Sequence, residues 1–489
     1  MNSIAFVLAL SLSMPSMALE PPKSAPVGTA APTRSAGFQE KATLLDAWIT
    51  AQMAGQGLPG MSIGLVHDGQ LVWAKGYGFS DTEKKIPSTP ATIYRMASVT
   101  KTFTATAILQ LRDAGKLGLD DPVSKYLPWF KVSSRFSDAP AITIRHLLTH
   151  TSGLPREAAF PYWTDNAFPT IEQIKGTLLG QEAVFPTETR WKYSNLGFAL
   201  AGEVVAAVSG ESYEHYIRTH ILEPLGMADS SIVLPEAQLS RLAIGYGPRQ
   251  PDGSRVTRPF ADCRGITPAA NLSSTVEDLA RFLAFQMGDG MVNGKVILKA
   301  STLNEMHRVH WIQQDWQSGW GLGFSVTHLG GQDYVGHIGI LSGYRTAISF
   351  LPDEMTGVIV LSNADDGHPG FYLRQVFELL GGALNAEPVQ SPVPKFDQAW
   401  VRFTGRYRNL WGDSDVRILG GNLVIVDPEA DEPLDGIIRL IPDGKDRFRI
   451  PVPNRLSYDS VGEPVIFETG PDGAVVRMKF GANYSQKVK

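Results

Sequence analysis

Ser98-Val99-Thr100-Lys101 is the only Ser-x-x-Lys in the 489-residue chain. On a helix, side chains three residues apart share a face about one turn from each other, so an amine lies beside a hydroxyl. A lysine has a free pKa of about 10.4, yet one held among apolar or cationic groups loses its proton and serves as a base. The chemistry of that pair is attack by an activated serine on an amide or ester carbonyl. The flanks agree: Ile93-Tyr94-Arg95-Met96-Ala97 precedes Ser98 and an apolar helical pattern follows. Ser98 is thereby expected at a helix start, where backbone N–H groups point at incoming anions.

Two further stretches carry complementary groups. Tyr193-Ser194-Asn195 begins 95 residues after Ser98 (193 − 98), just before a helical pattern near Gly197. A phenol relays a proton between serine and leaving group when neighbouring cations lower its pKa from about 10. Asn195 is suited to binding a substrate carbonyl and holding the lysine. Tyr407-Arg408-Asn409 repeats the motif but falls in a β-rich region beyond a proline cluster, and is set aside. His337-Ile338-Gly339 leads into a strand. His328-Leu329-Gly330 and His368-Pro369-Gly370 share its spacing, but only the first precedes Gly343 and the apolar run Tyr344–Leu351. An edge strand there pairs with an extended substrate, and a glycine permits close approach.

The surrounding patterns say what positions these groups. A helical pattern covers Lys41–Met53. The apolar stretches Met61–His67 and Leu71–Ala74 flank Asp68-Gly69-Gln70, a hairpin signature. Helical spacing covers Thr100–Ala114, closed by Gly115, and recurs at Ile144–Leu148, Gly197–Ser209 and Thr275–Met287. Strands return at Tyr344–Leu351 and Gly357–Ser362. Early and late strands around a helical middle predict one antiparallel sheet in an α+β fold. Pro388, Pro392 and Pro394 mark a stiff linker. Beyond it, Val416–Leu419, Leu423–Val426, Arg447–Ile450 and Val475–Phe480 alternate with Gly/Asn/Asp turns and predict a small all-β, barrel-like domain. The resulting division is a leader at 1–18, a flexible lead at 19–37, a main domain at 38–385, a linker at 386–395 and the β domain at 396–489.

The leader reads as an export signal: an apolar run Ile4–Met14, then Ser16-Met17-Ala18, with cleavage after Ala18. The run is shorter than the roughly 20 residues needed to span a bilayer. The expected location is periplasmic or secreted, with no membrane span. A formal net charge of -5 and 19% charged residues give no basic stripe for nucleic acid. The lone cysteine, Cys263, permits no internal disulfide and reads as a packed residue.

Taken together, Ser98–Lys101, Tyr193–Asn195 and His337–Gly339 resemble the serine β-lactamases of class C, the D-alanyl-D-alanine carboxypeptidases, the D-aminopeptidases and related esterases. So do Ile144 through Pro155, with His150-Thr151-Ser152-Gly153, and Leu225-Gly226-Met227, Leu272 through Ala280, and the strands from Leu351 to Asn363. The resemblance runs from about Lys41 to about Leu384. It implies a β-lactamase-like α+β fold: an antiparallel sheet flanked by helices, beside an all-helical subdomain, with the site between them. It further implies a Ser98 acyl-enzyme that water hydrolyses, and an oxyanion hole from the N–H groups of Ser98 and Ile340, donors commonly worth about 3–4 kcal/mol each. Ile340 is bulkier than the residue usual there and narrows the cleft. β-Lactamases of this family carry Lys-Thr-Gly where this chain has His337-Ile338-Gly339. A histidine, mostly neutral at pH 7, holds a substrate carboxylate less firmly. Substrate binding is accordingly assigned to Asn195, His337, Gly339 and Ile340, and catalysis to Ser98, Lys101 and Tyr193.

The implied partner is a small molecule or short peptide, with peptidase or amidase action favoured over esterase and β-lactamase action. An inactive penicillin-sensing receptor is the alternative outside catalysis. No metal and no cofactor is expected. His146 and His150, four apart on a helical pattern, read as packing residues, and His307 and His310 as surface residues. Trp311, Trp316 and Trp320 are candidates for lining an apolar pocket.

Overall fold

A computed structural model describes residues 36–384, 396–450 and 462–488. The expected leader (1–18) and linker (386–395) lie outside these, as does the expected lead (19–37) up to residue 35. Ala36 and Gly37 instead open a helix, Ala36–Gln56, longer than the Lys41–Met53 pattern. Phe38, in its first turn, is buried against the core. Among the described residues no helix is long and apolar enough to cross a membrane.

The first hairpin joins strands Gly60–His67 and Gln70–Asp81. Its two turn residues, Asp68 and Gly69, have φ of 47° and 72°, the left-handed pair that suits strand twist in a two-residue connection. Strand Gly60–His67 lies between Gln70–Asp81 and the late strand Thr356–Ser362, with Ile63 opposite Val360. Tyr344–Leu351 and Gln332–Leu341 follow outward in a nine-stranded antiparallel sheet. Every residue of Thr356–Ser362 is buried because helices cover both faces. Ala36–Gln56 and Pro369–Val376 pack on one side, where Trp48 meets Phe371 at 5.0 Å. Val276–Met287 and Thr100–Asp113 pack on the other, where Phe282 stacks on Phe103 at 3.9 Å. The helix Asn195–Ser209 lies against Thr100–Asp113, in the helical part of the chain between the early and late strands.

Residues after 396 form a second nine-stranded sheet, nearly closed into a barrel. Its edge strands, Ile437–Arg439 and Ile441–Pro442, are joined through Leu440, whose N–H donates to Leu423 O at 2.9 Å. Phe403, Tyr407, Phe448 and Phe467 fill its own core. This sheet docks on the helix Ala36–Gln56: Val424 and Val426 join the Trp48 cluster, Trp48 Nε1–H donates to Ala430 O at 2.8 Å, and Gly420 N–H to Glu40 at 2.7 Å. Its seat is thus on the face of the main sheet opposite the nucleophile helix. The fold is β-lactamase-like with a barrel-like β unit behind it.

Candidate active site

Ser98 stands in a short turn, Ala97–Val99, that runs directly into the helix Thr100–Asp113. Ala97 takes φ 49°, a left-handed conformation costing about 1–2 kcal/mol for a residue with a Cβ. Its surroundings hold it there. Tyr94-Arg95 pairs with Ser273-Ser274, and Met96 N–H donates to Leu272 O. Thr100 Oγ1 donates to Ala97 O at 2.6 Å and accepts from Leu272 N–H at 3.0 Å. On the other side the strand Gln332–Leu341 presses close. A Cβ on Gly339 would fall 2.2 Å from Met96 O and 2.2 Å from Thr346 Oγ1, so only glycine fits where the strand passes the turn.

Lys101 is fully buried. Its Nζ lies 3.1 Å from Ser98 Oγ, 2.7 Å from Asn195 Oδ1 and 2.8 Å from Ala269 O. Burial depresses its pKa well below the ordinary lysine value; Glu157 opposes that and Arg156 reinforces it. A neutral amine has two N–H donors and one lone pair. Asn195 and Ala269 are obligate acceptors, so they take the two hydrogens and leave the lone pair for the Ser98 hydroxyl. Asn195 is fixed in turn by donating from Nδ2 to Glu157 Oε1 at 2.8 Å.

Tyr193 completes the group. Lys101 Nζ and the Arg156 guanidinium lie 5.0 and 4.9 Å from its ring centre, and the Ser98 side chain is close enough to pull its pKa downward. The condition that nearby cations lower this phenol's pKa is met by Arg156 only in part, and the net shift is upward. Desolvation raises it, and Ser98 and Arg156 offset that only in part. The phenol is a neutral proton donor at rest.

Behind Tyr193 stands a wall that the motifs alone did not reveal. His150 packs 4.3 Å from the Tyr193 ring, with Trp320 at 4.9 Å and Phe198 at 5.1 Å from His150. Trp191 packs 5.3 Å from Trp320. His150 is not on the helix, which ends at Leu148; it adopts φ 58°, and its Nδ1 accepts the Ser194 N–H at 3.1 Å. That bond positions the Tyr193 stretch. His146 instead caps its own helix, its Nδ1 accepting Thr143 N–H. Of the three tryptophans singled out, Trp320 lines this wall while Trp316 is 78% exposed. His307 is buried, not superficial: it bonds Gln286 at 2.9 Å between Phe324 and Phe350. His310 is part-buried and its Nε2 donates to Glu305 O.

His337 sits 5.6 Å from Trp320 and 6.4 Å from Tyr193, ring to ring. Its Nδ1–H donates to Ile338 O at 2.8 Å, and its Nε2 is buried without a partner among the described residues. Burial drives its pKa down to about 3, so it presents a bare lone pair and no charge. In the hairpin closed by Leu341 and Tyr344, Leu341, Gly339 and His337 form the pairs bonded to Tyr344–Leu351. Main-chain groups of Ile338 and Ile340 therefore point to the opposite edge, which beyond Gly336 pairs with no strand among the described residues. Cys263 is buried, its thiol pushed up to about 11 by burial, which leaves it inert.

Sequence reasoning passed over Arg156, Glu157, Trp191 and His150 as parts of the site. Arg156-Glu157 directly follows the His150–Pro155 stretch, and that adjacency was the available signal.

The family model named Beta-lactamase matches residues 45–382, well over half of the chain. "Protein flp" of Staphylococcus aureus is 31% identical over 313 residues, 63% of this chain, and the chain spans 60% of that protein's length. "Beta-lactamase-like protein 2" of Dictyostelium discoideum is 30% identical over 388 residues, covering 77% of this chain and 68% of that one. Among solved structures, the octameric penicillin-binding protein homologue from Pyrococcus abyssi superposes with a TM-score of 0.62 at 28% identity, covering 91% of this chain and 99% of that one. EstCE1, a hydrolase with promiscuous acyltransferase activity, matches at TM-score 0.60 over 71% of this chain and 100% of its own. At 22% identity that last likeness is one of fold. On this match, the chain belongs to the beta-lactamase family of serine hydrolases.

Proposed function

We propose that this chain is an exported hydrolase that cleaves amide bonds of small or short-peptide substrates through a Ser98 acyl-enzyme. The observation that carries this reading is the Lys101 amine, buried, depressed in pKa and 3.1 Å from Ser98 Oγ. Neutral Lys101 accepts the Ser98 proton as Oγ attacks the carbonyl carbon. The N–H groups of Ser98 and Ile340 receive the developing oxyanion. Tyr193, protonated at rest, donates to the leaving nitrogen as the C–N bond breaks, and is reprotonated from the Lys101 ammonium. Water then attacks the ester, and the same groups return the protons. Asn195 and Glu157 hold the amine in place, and His337 accepts a hydrogen bond at the leaving-group end.

Under the same proposal, residues 38–385 form the hydrolase domain and 396–489 a supporting domain, with export directed by residues 1–18. Ester hydrolysis is the second reading. His337 offers no charge to a substrate carboxylate on the leaving-group side. A panel of D- and L-amino-acid p-nitroanilides, p-nitrophenyl esters and nitrocefin, ranked by kcat/KM with Ser98→Ala as control, tests the proposal. Higher kcat/KM on anilides than on nitrocefin, abolished by Ser98→Ala, is expected. Turnover confined to esters selects the second reading, and none at all on a folded protein returns the receptor alternative.

A further inference from the structure

The strand carrying Ile340 ends at a positively charged hollow that the mechanism above does not use. A cavity of about 390 Å³ opens beyond Ile340, walled by Leu341-Ser342, Arg258 and Arg345, with Trp163 at its rim. Two guanidinium groups there share one carboxylate: Arg258 Nε donates to Asp365 Oδ2 at 2.9 Å and Arg345 Nη1 to Asp365 Oδ1 at 3.2 Å. Asp365 also accepts Gly343 N–H at 2.8 Å. The adjacent Asp366 is taken up by Arg255 at 2.6 Å and by the backbone N–H of Arg249. Among the described residues, Arg255, Arg258 and Arg345 thus face the two carboxylates Asp365 and Asp366, which leaves one positive charge of this cluster beside the cavity. The Arg345 and Arg258 side chains are 22% and 36% exposed. Partly withdrawn from water, that charge attracts an anion more strongly than an open surface does.

The direction of the cleft says which part of a substrate reaches it. The unpaired edge runs from His337, beside Tyr193, to Ile340 and Leu341 at the cavity. A substrate along that edge has its leaving group at the Tyr193 end and its acyl part at the other. Ser342, in the turn just past the end of the strand at Leu341, lies at most about 7 Å from Ile340. We propose that Arg258 and Arg345 form a subsite for a carboxylate on the acyl part of the substrate, roughly two residues' length from the scissile carbonyl. Trp163 walls the intervening apolar chain. Arg345 Nη1 also donates to Leu341 O and Tyr344 O at 3.1 and 3.0 Å, and a guanidinium's remaining forked donors match a carboxylate. The assignment rests on the Ser98 acyl-transfer reading for its direction.

The test compares mono-p-nitrophenyl glutarate with p-nitrophenyl valerate in the wild type, Arg258→Gln and Arg258→Lys. The wild type is expected to prefer the anionic ester, less so as salt screens the charge. Arg258→Gln lowers the anionic-to-neutral ratio of kcat/KM at least about tenfold, and Arg258→Lys recovers part of it. A ratio unmoved by Arg258→Gln overturns the subsite. A second arm uses calorimetry on Ser98→Ala with N-phenylglutaramic acid and its methyl ester. Tighter binding of the acid, abolished by adding Arg258→Gln, supports the subsite, and equal binding of the two compounds overturns it. If neither p-nitrophenyl ester is turned over, the acyl-transfer reading fails, and the calorimetric arm decides the subsite by itself.

Discussion

Gly339→Ala is the sharpest perturbation of the proposed oxyanion geometry, because it adds one methyl at the closest point between strand and nucleophile turn. The new Cβ would lie 2.2 Å from Met96 O and from Thr346 Oγ1, and 3.2 Å from the Ala97 Cβ. Relief to an ordinary contact requires the strand to retreat by about 1 Å. That motion breaks the 3.0 Å bond from Thr346 Oγ1 to Met96 O and carries the Ile340 N–H away from Ser98. Misplacement by about 1 Å costs on the order of 100-fold in rate, and loss of an oxyanion donor about 100- to 1000-fold. The stability cost of overpacking is smaller, about 1–3 kcal/mol. The assay is kcat on the best substrate from the panel, alongside urea unfolding. Gly336→Ala is the control: its Cβ would meet Ile348 O at 2.2 Å on the same strand, before the segment that faces Ser98. Gly339→Ala should lose at least about 100-fold in kcat at a stability cost that Gly336→Ala matches without the rate loss. A folded Gly339→Ala enzyme with kcat near wild type, or equal rate losses in the two variants, would refute the reasoning.

Three further outcomes follow from the same geometry. Lys101, enriched in ¹³C at Cε, should titrate well below the ordinary lysine range, and activity should rise with pH through that titration, since the neutral form is the base; Lys101→Met should abolish the dependence along with at least about 100-fold of the rate. Tyr193→Phe should cost at least about 100-fold on anilides but much less on p-nitrophenyl esters, whose leaving group needs no proton; equal losses on both would reject its assignment as the donor. Burial holds His307 and His337 down to about 3 from the ordinary 6.5. Each therefore adds stability that is complete above pH 6.5 and lost as pH falls towards 3, because the unfolded chain takes up the proton first; urea midpoints measured across that window should fall steadily, and His307→Phe should flatten part of the slope.

Elements whose signals are local were legible in the sequence. Ile144–Leu148 and Tyr344–Leu351 have the bounds that their apolar spacing gave, and Thr143 and Thr275 cap the helices that follow them. The Asp68-Gly69 turn and the β-rich tail were equally readable, since turn chemistry and alternation act within a few residues. The longer first helix shows the limit of a periodicity read without tertiary contacts: Phe38 is fixed by the core it meets, not by its neighbours.

What stayed hidden depends on distant segments meeting. The Tyr193 pKa was read from nearby cations, yet the surroundings that desolvate it come from residues 150, 320 and 337. His307 looks polar in isolation, and only the fold supplies Gln286 to satisfy it. His146 and His150 keep helical spacing, but the chain leaves the helix between them. The seat of the β unit on the Trp48 helix has no signature in either partner alone.

The central claim is that the Ser98 oxygen becomes covalently acylated with Lys101 as its base. Acid quenching during steady turnover, followed by peptide mass mapping, tests it most directly. The predicted result is a substrate acyl group on the peptide holding Ser98, present in the wild type and absent in Ser98→Ala and Lys101→Met. Turnover that persists in Ser98→Ala, or an adduct mapped to another residue, would contradict it.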